Sequence, residues 1–464
     1  MLRYGASVGK LDYRLTASYR ADDTYPGIPD SRRLRLLTLR ADYRLGNRDS
    51  LSFQGGYNGG HREMGGTSSG GGDPTNPVRT ITTDNWFQQL KWLRTLDGGD
   101  ELSVQLYHNH LGLGDSFYTD PIAQLGNQQF PLDNSIRADR YDAEVQHTVH
   151  ISRGLRWVGG ASVRYDHSEA PIYLTAPVSN QLHRVFGHAE WRPTPRWIVN
   201  AGAMVERTEF TGPEVSPRLA VNYRLAAPHT LRASISRAVR NPSLFEEKAD
   251  LRFELGPVRV QRFRSSGNLQ PERILSREVG YIGEFPRLGL SFDARVFYDE
   301  ITGLIGAVTV PFPAGYQGIT RDFRNQDDVT QRGFETQLRW RFADATALGV
   351  AQSYIDTHGT DIGGPYSKST PRNIYSAFII KPLGELTTAT IMAFHQDAVE
   401  PLGFSEPRVA FNRVDARIAR SFTLGRSRAE AAFVVQNLFN YKYTDFRHDN
   451  VFDRRSYVTL ELNF

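Results

Sequence analysis

Three patterns in the 464-residue sequence have the spelling of reactive chemistry. Gly66-Thr67-Ser68-Ser69-Gly70 matches the Gly-x-Ser-x-Gly of a hydrolase nucleophile elbow, which needs a strand before the serine and a helix after it. The motif lies in a Gly-rich stretch followed by Pro74 and Pro77, a context that supplies neither, and reads as a surface loop. His108-Asn109-His110 sets two imidazoles on one face of a strand, a spacing that would suit a metal pair. Leu102, Val104 and Leu106 precede them on that face, so the pair continues an apolar face at its polar rim. Trp86, Trp92 and Tyr141 are read in the same interfacial way. The carboxylate pairs Asp139/Asp142 and Glu246/Glu247 have the composition for acid–base catalysis, but nothing in the sequence fixes the separation that such chemistry needs. No catalytic residue, metal or cofactor is expected, and the chain is not read as an enzyme.

Composition removes further classes. The chain is 39% hydrophobic and 23% charged, with 41 Gly, 24 Pro and no Cys. Without cysteine there is no disulfide framework, thiolate metal site or cysteine nucleophile. Apolar runs fall well short of the roughly 20 residues that a membrane-spanning helix needs. A net charge of +4 is small for this length and argues against a nucleic-acid partner. Met1 is followed by Leu2-Arg3-Tyr4 rather than the apolar core of a signal peptide.

The elements that must position any site are strands. Leu11, Tyr13, Leu15, Ala17 and Tyr19 alternate with Asp12, Arg14, Thr16, Ser18 and Arg20, the period-two signature of a strand with one apolar face. The same alternation holds from Leu290 to Tyr298 and from Val458 to Phe464. About 21 such segments follow one another, most of about 9–13 residues, a length that suits a tilted crossing of a bilayer. Short turns such as Gly9-Lys10, Asp97–Gly99 and Pro286-Arg287 alternate strictly with long connections such as Gly59–Arg79, Ala238–Arg273 and Ile301–Asp328. Short periplasmic turns and long extracellular loops are the pattern of outer-membrane barrels. The fold expected is therefore all-β, a transmembrane antiparallel β-barrel over residues 1–464. Its apolar face meets lipid, and its lumen is lined by Arg, Asp, Glu and Gln.

The count carries a difficulty. The first strand leads into a short turn and the last follows a long loop, so both run inward. Neighbours in an antiparallel barrel run oppositely, and unpaired edges in lipid cost several kcal/mol per backbone group. One outward strand is expected between them, from a missing N-terminal segment or another source.

Several segments in order resemble TonB-dependent outer-membrane receptors. Gln436-Asn437-Leu438-Phe439-Asn440 through Tyr443 is similar to the family's Asn-Leu-Phe-Asn-x-x-Tyr. Ser236-Arg237 through Arg240-Asn241-Pro242 resembles its Ser-Arg-x-x-Arg-x-Pro segment. Asn268-Leu269-Gln270-Pro271-Glu272 with Glu278-Val279-Gly280 resembles its Asn-Leu-x-Pro-Glu and Glu-x-Gly segments, and Gly333-Phe334-Glu335 continues the series. The family's plug, TonB box, signal peptide and first of about 22 strands have no counterpart here, so an N-terminal truncation is expected.

The resemblance implies an outer-membrane receptor that takes up a scarce ligand, foremost a ferric siderophore, energised through the TonB complex when the plug is present. It implies outer-membrane lipid, lipopolysaccharide and the barrel-assembly machinery as further partners, and a monomer. A plugless passive channel and a surface binding scaffold without transport remain as alternatives. By strand parity, the lumen-facing residues near the extracellular ends are Arg20, Tyr107, Asn109, Arg140, Arg240 and Phe297. Guanidinium groups hold anionic chelates bidentately and aromatic faces hold rings or cations, so these six are the expected ligand contacts.

Overall fold

In a computed structural model the chain forms one antiparallel sheet of 21 strands. The structure describes every residue except 24–28, 67–72, 363, 403–405, 426, 445–450 and 464. Most of the Gly66–Gly70 motif and the aromatic terminus Phe464 thus lie outside the described residues. The first strands are β1 (Leu2–Val8), β2 (Leu11–Asp22), β3 (Arg32–Arg44), β4 (Asp49–Met64), β5 (Arg79–Thr95), β6 (Glu101–Gly114) and β7 (Ile136–Ser152). There follow β8 (Leu155–Glu169), β9 (Val178–Thr194), β10 (Trp197–Thr208), β11 (Glu214–Ala226), β12 (His229–Arg240), β13 (Glu272–Phe285) and β14 (Leu290–Val310). The last are β15 (Thr320–Arg341), β16 (Ala347–Gly359), β17 (Asn373–Pro382), β18 (Thr387–Gln396), β19 (Phe411–Leu424), β20 (Ser427–Gln436) and β21 (Arg455–Asn463).

Each strand pairs antiparallel with the next, from Leu2↔Ala17 between β1 and β2 to Arg428↔Asn463 between β20 and β21. No pairing joins β21 to β1 among the described residues. Both edge strands run from the loop end to the turn end, so they cannot close on each other antiparallel.

Burial is inverted relative to a water-soluble sheet. Leu15, Leu37, Leu106, Val185, Val279 and Val296 stand exposed on the outer face, while Thr16, Ser103, Thr148, Ser162 and Glu206 are buried on the inner one. Apolar residues face lipid and polar ones satisfy each other across the lumen wall, which is how a barrel avoids charge in hydrocarbon. Trp92, Trp157, Trp191, Trp197 and Trp340 all sit within a few residues of a short turn. The Trp92 indole donates to Asp49 at 3.1 Å and that of Trp340 to the Leu288 carbonyl at 2.9 Å. Rings anchored by polar tips at one level make an aromatic girdle. Trp86 stands instead toward the loop end, stacked on His110 at 5.2 Å.

The connection read from sequence as the loop Ile301–Asp328 is largely strand, because β14 and β15 run for 21 and 22 residues. Gly303 adopts a positive φ of 68° and the register shifts between Ile301 and Leu304. This bulge breaks the alternation and imitates a turn, although pairing resumes beyond it.

The loops build a structured cap. The hairpins Ser116–Tyr118/Pro131–Asp133 and Arg252–Leu255/Val258–Gln261 bring Ile122, Leu132, Ile172 and Leu255 into one buried cluster, packed by Phe117, Phe130 and Phe253. Beside it Arg79 pairs with Asp115 at 2.5 Å, both nearly buried, and lies over the Phe117 ring at 3.9 Å. This apolar core lies in the loops, while the barrel interior is polar.

Candidate functional site

The alternation that exposes Val279 and Val296 to lipid turns Glu278, Asp293 and Arg295 inward. They line a lumen cavity of about 1000 Å³ bounded by β9–β17, together with Arg218, Arg232 and Glu335. Cross-strand pairing arranges the charges as a ladder. Arg232 Nη2 lies 2.5 Å from Asp293 Oδ1, and Arg295 lies 3.1 Å from Glu278 Oε1 and 2.7 Å from Glu335 Oε2. Single sequence positions gave no sign of these pairs, since register alone brings them together.

Among the expected ligand contacts, β6 and β7 unite Tyr107, Asn109 and Arg140. Asn109 stands opposite Arg140, and Tyr107 opposite Asp142. Arg140 Nε donates to Asp166 Oδ1 at 2.6 Å. Arg164 stands 3.0 Å from the other oxygen of Asp166, and Arg184 lies 3.5 Å from Glu206. The Nε atoms of Arg164 and Arg184 are buried without a hydrogen-bond partner, because these contacts are close but poorly aligned. Three guanidiniums therefore cluster on this wall near its extracellular end, two of them unnoticed by the sequence reading although parity would have included them.

The other candidates stand apart. Arg20 on β2 is 65% exposed and bonds to Asp22, which Arg32 also engages. Arg240 donates to Glu272 at 2.5 Å and to Glu246 at 2.9 Å. Phe297 on β14 lies under the Arg295 guanidinium at 5.9 Å, where Gly333 makes room for it. A Cβ at Gly333 would stand 2.9 Å from the Phe297 ring and 2.0 Å from the Tyr354 carbonyl.

The remaining motifs are resolved by geometry. His108 and His110 both reach the same oxygen of Asp139, at 3.0 and 2.8 Å, on the outer face. Among the described residues no group of three or more His, Asp or Glu is placed to hold a metal ion. Asp139 and Asp142 point to opposite faces. Glu247 is buried and accepts the backbone N–H groups of Asn268 and Leu269.

At the mouth several polar groups of the loops satisfy one another. Ser243 caps the short helix α1 (Leu244–Lys248), in a reciprocal box with Glu246. Burial raises the Glu246 carboxyl, but the Arg240 guanidinium and Ser243 outweigh it and hold it below the usual range. Asp250 likewise ends low, since hydrogen bonds from Thr175 and Gln261 outweigh its burial. Burial pushes the Tyr366 hydroxyl up to about 12.

The sequence matches the family described as TonB dependent receptor-like, beta-barrel, over residues 170–438. No curated protein matches it. Among solved structures, the chain is similar to the siderophore receptor PirA of Acinetobacter baumannii, at TM-score 0.77 and 13% identity, covering 98% of this chain and 75% of that one. It is similar to a mutant of the ferric enterobactin receptor PfeA of Pseudomonas aeruginosa, at TM-score 0.76 and 13% identity, covering 99% and 77%. It is also similar to the FrpB iron transporter of Neisseria meningitidis, at TM-score 0.78 and 12% identity, covering 100% and 78%. At such identities the likeness is one of fold. With more than half its length matched by the family, and with a strand wall whose apolar face is outward and whose charges are inward, the chain belongs to the TonB-dependent receptor β-barrel family, which is made of outer-membrane transport receptors and not enzymes.

Proposed function

We propose that this chain is the wall of a receptor that takes up a ferric siderophore, energised through the TonB complex by a plug and coupling segment encoded outside these residues. The observation that carries the reading is the guanidinium cluster of Arg140, Arg164 and Arg184 on the lumen wall beside Tyr107 and Asn109. Buried donors without aligned partners favour an incoming anion. The siderophore and iron receptors among the structural relatives support the same ligand class.

The test is a titration of the protein isolated from outer membranes with ferric enterobactin, haem and cobalamin. Saturable binding of the ferric chelate is expected, about tenfold weaker in Arg164→Gln. Binding of haem or cobalamin in its place would overturn the ligand class.

The same reading includes one further outward strand between the edges of β1 and β21, supplied by sequence ahead of Met1. Support comes from the directions of those two edges and from the cost of open edges in lipid.

A further inference from the structure

We propose that the lipid-facing wall of β13–β16 carries, at its extracellular end, a docking site for the phosphorylated headgroup of an outer-leaflet lipid, with Arg277 and Arg332 as the phosphate-holding groups. The proposal rests on the outer-membrane placement of the barrel and is independent of what the lumen binds.

Register sets Arg277 opposite Tyr298, Tyr298 opposite Arg332, and Arg332 opposite Asp356. Guanidinium, phenol and guanidinium thus stand side by side in one row. The row is on the outer face, since Val279 and Val296 in the row beneath are 57% and 56% exposed. Phe334 and Tyr354 continue that lower row, stacked at 5.6 Å. Arg277 lies 5.6 Å from the Tyr298 ring centre and 3.0 Å from Glu300, while Arg332 lies 2.9 Å from Asp356. Arg372 and His358 converge on the same carboxylate at 2.7 and 2.9 Å. Arg237 and Arg273 share Glu214 nearby. Five arginines thus gather around the carboxylates Glu300, Asp356 and Glu214, with Asp397 also facing Arg372.

Height decides what such a row can meet. Arg332 and Trp340 of the turn-side girdle lie on the same outer face of β15. The strand between them covers about 26 Å at roughly 3.3 Å per residue, or about 20 Å of height at a tilt of ~40°. Long arginine side chains reaching outward bring their heads to the edge of an apolar band of about 25 Å. Charge facing hydrocarbon is strongly disfavoured, whereas at the headgroup level it meets phosphate. Guanidinium forks suit phosphate oxygens bidentately, and the apolar row directly below offers a wall for acyl chains. A ligand with both parts matches both rows, which a soluble anion does not.

The test is native mass spectrometry of the full-length protein, isolated from outer membranes and exchanged into detergent. It is titrated with bis-phosphorylated lipid A and with the dephosphorylated lipid. Retention of the phosphorylated form about tenfold better is expected, and Arg277→Gln/Arg332→Gln should abolish that preference. Arg48→Gln, at the opposite end of the barrel beside Asp97, should keep it. Heat-modifiable electrophoretic migration reports folding, and the single Arg332→Gln, a 65% exposed side chain, serves if the double variant does not fold. Equal retention of both lipids by the unaltered protein, or an intact preference in a folded variant, would overturn the site. Loss of siderophore binding would leave it standing.

Discussion

Arg240 has the right chemistry and parity for an anionic ligand, yet its donors are occupied by Glu272 and Glu246. Glu272 lies 32 residues away in sequence, and only the β12–β13 register makes them neighbours. Its role in the fold is to tie strand end, helix cap and loop together. Arg240→Ala leaves two carboxylates facing each other. The expected cost is about 1–2 kcal/mol, small because the guanidinium is half exposed to screening solvent. It should appear as lost hydrogen-exchange protection over residues 243–269, with the barrel strands unchanged. The same contact sets a pH dependence. Glu246 titrates below its ordinary value of 4.5 in the folded loop. Its contribution is therefore complete above that value and lost as pH falls through the lowered one. Loop protection factors should be flat from about pH 8 to about pH 5 and decline below about pH 4. A decline centred near neutrality would contradict this assignment.

At the scale of elements, alternation was the strongest signal in the sequence. Leu11–Tyr19 and Leu290–Tyr298 were legible because the side-chain period of a strand is fixed by its pleat. The Thr302-Gly303 bulge hid the upper part of β14 because the eye takes a glycine with broken alternation as a turn. Which charges meet across the lumen, such as Arg295 with Glu278 and Glu335, depends on register, which a single strand does not encode. Clustering of Arg164 with Arg140 was hidden for the same reason. Two substitutions test the assignment of faces. Leu106, 51% exposed on the outer face, should cost about 2–4 kcal/mol as Leu106→Arg in urea unfolding from bilayers. Gly333→Val should be destabilising by at least as much as a typical overpacking change, about 1–3 kcal/mol, since its Cβ collides with backbone and with Phe297. Little change in either would reverse the inside–outside reading.

At the scale of the molecule, two features complement each other. The wall encloses a polar cavity of about 1000 Å³, and the loop cap over it has the only clustered apolar core identified among the described residues. A mouth with its own packed core above a polar lumen fits the receptor role proposed for the chain. The seam between β1 and β21 belongs to the same logic. The outward strand proposed there predicts a native product that exceeds the 52.4 kDa of this chain by intact mass and carries residues ahead of Met1. The most direct test of the central claim is uptake of radio-iron-labelled siderophore by iron-starved cells carrying or lacking the gene. Uptake that disappears with the gene, returns with its full-length copy and stops when the proton-motive force is collapsed is the predicted result. Uptake unchanged by loss of the gene, or continuing in de-energised cells, would contradict the account.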